Sequence, residues 1–350
     1  MAYLIHYGGD LYMRRKIICF PERGKVAIKE EELSEDLEND EILIENLKNL
    51  ISPGTELALY TGTHVGFKDP KNLWAKYPHY PGYISIGRIV KTGKCVVGLN
   101  PDDIVLSSMN HCSHGKLKDS DPLLIKLPEN ADLDTLLFAR MAAISMTAPL
   151  LTDYSIGDRI AIIGLGIVGN LCSQLFQLSG ADVYPLEIVP YRIKIAQNAG
   201  INRVLNGGET HEVKSQIQQV TNELGVDIVV EATGIPELVN QALELVNNLG
   251  QVILLGSTRG LVNIDVYTHI HHKGITVKGA HANVLDSTKI VGEPNGMRKY
   301  ILRMIDLILS GRLKVYPLIT HRIAPEDVED AYNWLLKKEN MALGIIINWK

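Results

Sequence analysis

The sequence predicts an α/β protein made of a small, mostly β domain and a doubly wound parallel sheet. Three observations carry that expectation. Residues 159–180 read RIAIIGLGIVGNLCSQLFQLSG: a continuous apolar run, a glycine-rich turn and an amphipathic stretch. From residue 150 to 285 strand-like and helix-like segments alternate, as parallel strands with helical crossovers require. Residues 13–148 instead carry short strand-like runs separated by Gly, Pro and Asn/Asp turns.

In the first region the candidate strands are 16–20, 25–29, 41–47, 84–90 and 104–108. In the second they are 159–163, 182–186, 203–205, 227–231, 251–255 and 275–278, with candidate helices at 213–224 and 236–247 between them. A further helix runs from Met297 to Ser310, with Gly311 as its stop. The apolar run 343–348 reads as a strand returning to the first domain. The expected division is therefore 1–148 with 287–350 for the β-rich domain, and 149–286 for the parallel-sheet domain.

The glycine turn is the most specific motif. Gly164, Gly166 and Gly169 stand at G-x-G-x-x-G spacing after the strand. The first permits the tight turn, the second lets a pyrophosphate approach the backbone, and the third lets helix pack on strand. Val168, Leu171, Cys172 and Leu175 then share one helix face. The helix N-terminus offers free N–H groups to phosphate, so the backbone of Gly164, Gly166, Ile167, Val168 and Gly169 is assigned to a dinucleotide. Glu187 ends the next strand, where a carboxylate accepts the ribose hydroxyls and repels a 2′-phosphate. The cofactor expected is NAD. Arg192 lies along the same ribose or is a solvated helix charge. Ala232 and Thr233 after the fourth strand, and Gly256 and Ser257 after the fifth, occupy the carboxyl edge that faces the nicotinamide ribose. Arg259 and Lys273 hold substrate or phosphate there, or are surface charges.

Composition narrows the partners. With 350 residues, 46% hydrophobic and 21% charged, the chain reads as soluble and globular with two cores. A net charge of −5 without a Lys/Arg block argues against nucleic acid. No apolar run reaches the length of a membrane span, so no membrane is expected. The N-terminus lacks the order of a signal peptide. Cys19, Cys95, Cys112 and Cys172 are widely spaced without a C-x-x-C pair, the pattern of reduced thiols in a cytoplasmic protein.

SPGTE (52–56), YPGYISIGRIV (80–90), GDRIAIIGLGIVG (157–169), GVDIVVEATG (225–234), GQVILLGS (250–257) and KGITVKGAH (273–281) resemble the medium-chain dehydrogenase/reductase family of alcohol and polyol dehydrogenases. The resemblance covers nearly the whole chain after Met13. It implies a GroES-like catalytic domain, a Rossmann nucleotide domain, and a homodimer or homotetramer. In zinc members the catalytic metal is held by a Cys before a G-T-D-like string, a His-Glu pair after P-G, and a later acid or Cys. Here those places hold Pro53, Tyr83, Ile84 and Arg140. Proline, isoleucine and arginine do not ligate zinc, and tyrosine is a poor substitute. The family's four-cysteine lobe is replaced by residues 110–124. Two histidine groups, His111/Cys112/His114 and His269/His271/His272, lack the spacing of a closed four-ligand site. No metal is expected.

Without zinc, hydrogen-bond donors must stabilise an alkoxide and a side chain must carry its proton. Thr55 matches the family's hydroxyl relay and touches the substrate oxygen or caps the following helix. Tyr83 faces the pocket as acid/base or packs as a core aromatic. Glu56 orients a neighbour or caps the first helical turn. His64 ends a proton path or is an exposed loop histidine. The activity implied is zinc-independent hydride transfer between NAD and a secondary alcohol or ketone, the substrate a hydroxylated small molecule of polyol, cyclitol (aminocyclitol-type) or sugar-like class. The competing readings are an NADPH-dependent quinone or enoyl reductase, and a non-catalytic NAD-binding protein of the same fold.

Overall fold

The structure is a computed structural model that describes residues 5–7, 10–287, 295–337 and 341–350. It divides into two compact units, Met1–Leu137 with Ile319–Lys350, and Phe138–Leu318. The junctions thus fall at 137 and 319, where the sequence placed them at 148 and 287. The reason is packing. The Phe138–Ser145 helix lies against both Ile167–Leu178 and Gly296–Leu309, so all three belong with the parallel sheet.

That sheet has six parallel strands in the spatial order Leu205–Asn206, Asp182–Glu187, Arg159–Ile163, Val226–Glu231, Val246–Leu254, Thr276–Gly279. The chain runs outward from the first strand to one side and then to the other, which makes the sheet doubly wound. Alternation along each strand feeds two cores. Ile160, Ile162, Ile228, Val230 and Ile253 face Cys172 and Phe176 of the Ile167–Leu178 helix. Ala161, Ile163, Val229 and Val252 face Val213, Ile217, Ala242 and Leu243 on the opposite helical layer. Each fully buried branched side chain contributes roughly 1.5–3 kcal/mol relative to exposure. Arg159 clamps the strand beginnings together, with Nε and Nη2 donating to Asp227 at 2.9 and 2.8 Å.

Most expected strands of this unit form within a residue or two of their predicted bounds. The exception is 203–205, which contributes only Leu205–Asn206. The strand expected at 251–255 starts earlier, at Val246. The final strand, Gly344–Asn348, returns to the first unit as expected. It pairs antiparallel with Glu41–Leu50 and parallel with Ile319–Ile323. Glu41–Leu50 also pairs with Ser85–Thr92 and His114–Lys118, which centres the seven-stranded sheet on it. A separate three-stranded antiparallel sheet joins Ile5–Tyr7, Asp10–Cys19 and Ala27–Ser34.

By length and composition alone, Leu133–Leu151 passes as a membrane-spanning stretch with mean hydropathy 1.2. It is broken into three short helices and 67% of it is buried inside the protein. Cys19, Cys112 and Cys172 are buried free thiols and Cys95 is exposed. Burial pushes the Cys112 thiol up to about 12, so it is a packing group rather than a nucleophile.

Asp134 ties the Ile319–Ile323 strand to the central one. Its carboxylate lies 2.7 Å from Lys48 Nζ and accepts from Arg322 Nε at 2.6 Å. Burial acts to raise this carboxyl, and the two cations more than reverse it, leaving it below the usual aspartate value. A depressed carboxylate stabilises the fold above its ordinary value, and that stability is lost as pH falls through the lowered one. Asp134→Asn is therefore expected to lower the neutral-pH melting temperature and to flatten the acid limb of stability below pH ~4, read by thermal melts across pH.

Candidate functional site

In the parallel-sheet unit the first strand ends at Ile163 and the chain turns through Gly164, at φ +92°. The helix begins at Ile167 with Gly166 as its N-cap, no side chain capping it and no acid in its first turn. A Cβ on Gly166 would meet open space within 4 Å, while one on Gly169 would lie 1.9 Å from the Gly164 carbonyl oxygen. The second glycine thus keeps a surface clear and the third lets the helix sit on the turn. These features fit a pyrophosphate at the helix N-terminus.

Glu187 ends its strand, as the motif required, and its carboxylate also serves the glycine turn. It is 5% exposed and its carboxylate accepts from Leu165 N (2.9 Å), Ile188 N (2.8 Å) and Val189 N (3.0 Å). It straps the glycine turn to the next loop. Arg192 Nη1 stands 3.9 Å from Glu187 Oε2. At the fourth strand end, Glu231 is fully buried and accepts from Thr233 N (2.7 Å), the Thr233 hydroxyl and Gly234 N (3.1 Å). Burial raises its carboxyl above the usual value, against these donors. Thr233 is thereby fixed beside Gly164: a Cβ there would lie 2.5 Å from Thr233 Cγ2. Ala232 N donates to Ile163 O, and Gly256 N to Glu231 O, so both predicted edge segments close on the strand ends. A Cβ on Gly234 would lie 2.5 Å from Ser257 O, which draws the two edge segments together. Lys273 is spent elsewhere, its Nζ donating to Leu243 O at the end of a helix. Arg259 is drawn to the edge by its N–H to Gly234 O.

In the β-rich unit, Ser52 is the N-cap of the helix Pro53–Tyr60, which has proline at its start. Thr55 is half-buried in the first turn, and the capping role considered for it falls to Glu56 instead. Glu56 Oε1 accepts from Ser52 N at 2.8 Å. Its Oε2 lies 3.0 Å from His111 Nε2 and accepts from Tyr332 OH at 2.6 Å. Glu56 is 1% exposed and His111 fully buried. Tyr83 OH meets Ser52 Oγ at 2.6 Å. His111 is fixed by its own N–H to Pro81 O, and it packs so tightly on Gly82 that a Cβ there would lie 2.6 Å from its Nδ1. Gly82 also has φ +99°, a conformation that disfavours side chains. Tyr332 is held in an aromatic cluster with Phe20 and Tyr60, ring centroids 5.0 and 5.3 Å away.

The structure thus brings Tyr83 and Glu56 into one network, and adds Ser52, His111 and Tyr332, which the sequence reading did not assign to it. His64 does other work. Its Nδ1 accepts from Gly66 N at 3.1 Å as a cap, and the ring meets Trp74 edge-on at 5.1 Å. The two histidine groups do not converge. His111 turns to Glu56, Cys112 to Asn46, and His114 to Ser113 and Glu45. Among the described residues no three His, Cys, Asp or Glu side chains gather as a metal site.

A family profile for zinc-binding dehydrogenases matches residues 168–291, within the parallel-sheet unit. An uncharacterised zinc-type alcohol dehydrogenase-like protein of Escherichia coli is 28% identical over 223 residues, 63% of this chain and 59% of its own length. The chain therefore spans less than two thirds of that relative. The solved 2R,3R-butanediol dehydrogenase of Bacillus subtilis superposes with TM-score 0.79 at 20% identity, covering 96% of this chain and all of that one. A zinc-binding dehydrogenase of Sinorhizobium meliloti bound to NADP superposes with TM-score 0.76 at 18% identity, covering 96% and 99%.

The chain has the fold of the medium-chain dehydrogenases, and its nucleotide half is similar to theirs in sequence. The profile match lies outside the segment that carries Pro53, Tyr83 and Ile84, so the family name speaks for the nucleotide half. At the positions that the sequence resemblance aligns with metal ligands, Pro53 starts a helix, the Tyr83 phenol meets Ser52 and Ile84 is fully buried.

Two substitutions separate these roles. Gly169→Ala drives a methyl into the Gly164 carbonyl, so NADH binding is expected to fall by at least tenfold with a lower melting temperature, read by calorimetry and thermal melts. Glu56→Ala leaves three buried donors without an acceptor and is expected to cost about 3–5 kcal/mol in denaturant unfolding.

Proposed function

We propose that the protein is an NAD-dependent oxidoreductase that exchanges hydride with a secondary alcohol or ketone of polyol, cyclitol or sugar-like type, without zinc at the family's usual position. The observation that carries this reading is the Tyr83–Ser52 hydroxyl pair, 2.6 Å apart, with Tyr83 at a position that the sequence resemblance aligns with a metal ligand. Bound nicotinamide supplies or accepts the hydride. The residues of this chain supply the rest. The glycine turn and helix N-terminus hold the pyrophosphate. Thr55 and Tyr83 offer hydroxyls to the substrate oxygen. Tyr83 takes the hydroxyl proton on oxidation and returns it on reduction, the role of a general acid/base. Hydroxyls on Ser52, Thr55 and Tyr83 suit a hydroxyl-rich substrate, and a butanediol dehydrogenase is among the proteins of like fold.

The NAD assignment rests on the negative charge of Glu187 beside the turn, which disfavours a 2′-phosphate. One observation favours a second reading. Glu187 is drawn under the turn and Arg192 stands 3.9 Å from it, so the guanidinium is placed to meet a phosphate. An NADPH-dependent reductase is the reading that would follow.

Dissociation constants for NADH and NADPH separate the two. NADH is expected to bind about tenfold tighter, a difference of ~1.4 kcal/mol; a tenfold preference for NADPH would overturn the NAD reading. Metal analysis of the purified protein, with an NAD⁺-reduction screen over polyols and cyclitols, checks the chemistry. Turnover with negligible zinc is expected, and one tightly held zinc per chain would sink the metal-free mechanism.

A further inference from the structure

We propose that Ser52 is a positioning residue for Tyr83, held in place by a buried Glu56–His111–Tyr332 cluster, and that its hydroxyl donates to the Tyr83 oxygen when the phenol has lost its proton. The inference rests on the reading of Tyr83 as the acid/base and names what makes a phenol serve there. A tyrosine ordinarily loses its proton near pH 10. To take a proton from an alcohol at lower pH, its anion must be favoured by hydrogen-bond donors.

Ser52 is built for that task. It is 2% exposed, and its Oγ lies 2.6 Å from Tyr83 OH. Its backbone cannot drift, because Ser52 N donates to Glu56 Oε1 at 2.8 Å. Glu56 cannot drift either. Tyr332 OH donates to its Oε2, and His111 Nε2 lies 3.0 Å from the same atom. Burial and the Glu56 charge hold the Tyr332 proton on, so that bond is a fixed donor. His111 Nδ1 is buried without a hydrogen-bond partner, and Nε2 is the ring nitrogen turned to Glu56. His79 also feels the Glu56 charge, but burial keeps it toward the neutral form. Tyr60 stacks on Tyr332 and is likewise raised by burial. The groups facing the pair therefore place one negative charge, on Glu56, two bonds away and spend it on three donors. A cap alone would explain the Ser52 N–H bond to Glu56. It does not explain why the cap's own hydroxyl meets a phenol instead of the helix N–H groups that an N-cap serine ordinarily serves.

The test is a difference titration of tyrosinate absorbance, each protein measured against its Tyr83→Phe partner, together with the pH profile of alcohol oxidation. Ser52→Ala is expected to move the Tyr83 titration and the rising limb of kcat upward by about one pH unit, with kcat at neutral pH falling about tenfold and KM little changed. Ser52→Thr, which keeps the hydroxyl, is expected to restore both. An unchanged Tyr83 titration in Ser52→Ala overturns the proposal, even if melting falls. If Ser52→Ala does not fold, Tyr332→Phe replaces it, with a smaller upward shift expected and no shift counting against the proposal. Full activity in Tyr83→Phe would instead overturn the acid/base reading, and the titration would still decide the Ser52 contact.

Discussion

The carboxylate of Glu56 is the constraint on which the site in the β-rich unit depends. It is buried, and three groups from three distant parts of the chain converge on it: Ser52, His111 and Tyr332. A buried carboxylate without donors would be costly by several kcal/mol. Satisfying it requires each donor to hold one position, so the charge acts as a fixed point around which the turn at Ser52, the loop at His111 and the helix carrying Tyr332 are aligned. Tyr83 inherits its position from that alignment through Ser52.

The same device recurs at the carboxyl edge of the parallel sheet. Glu187 and Glu231 end strands, are buried, and take backbone N–H groups from the turns that follow. Each fixes a loop that the fold needs in a set place: Glu187 the glycine turn, Glu231 the Thr233–Gly234 corner. An acid is suited to this because N–H bonds to an ionised acceptor are about twice as strong as neutral ones. The acid-after-strand signal in the sequence is therefore ambiguous by its nature. A carboxylate at a strand end can reach outward to a ligand or inward to the turn. The choice depends on which backbone N–H groups the turn leaves free.

That ambiguity explains what was legible in the sequence and what was not. The strand 159–163 formed as expected because the four consecutive apolar residues 160–163, bounded by a glycine turn, leave little choice. The junctions between units did not follow, because Phe138–Ser145 reads as a helix whichever unit it joins; its partner Gly296–Leu309 is far along the chain. In the site, Tyr83 and Glu56 were visible because SPGTE and YPGY carry them. Ser52 was within the quoted string but had no role assigned to it. His111 was considered for metal through its neighbours Cys112 and His114. The three residues instead take separate partners: His111 meets Glu56, Cys112 meets Asn46, and His114 meets Ser113 and Glu45. Tyr332 gave no local signal. It lies 276 residues from Glu56, and only the folding of the final helix beneath Pro53–Tyr60 joins them.

A metal site and this network solve the same problem by opposite means. Zinc gathers side chains around a cation and needs ligands with lone pairs at each converging position. Here one of those positions is Pro53, whose missing N–H costs nothing at a helix start. Another is Ile84, which is fully buried and whose carbonyl accepts from Leu50 N and Asn49 Nδ2. Both residues spend themselves on the local fold. The remaining position, Tyr83, keeps a polar atom, and that atom is held by a serine whose backbone is locked to a buried anion. The loop is organised around the buried Glu56 carboxylate, which Ser52, His111 and Tyr332 all meet.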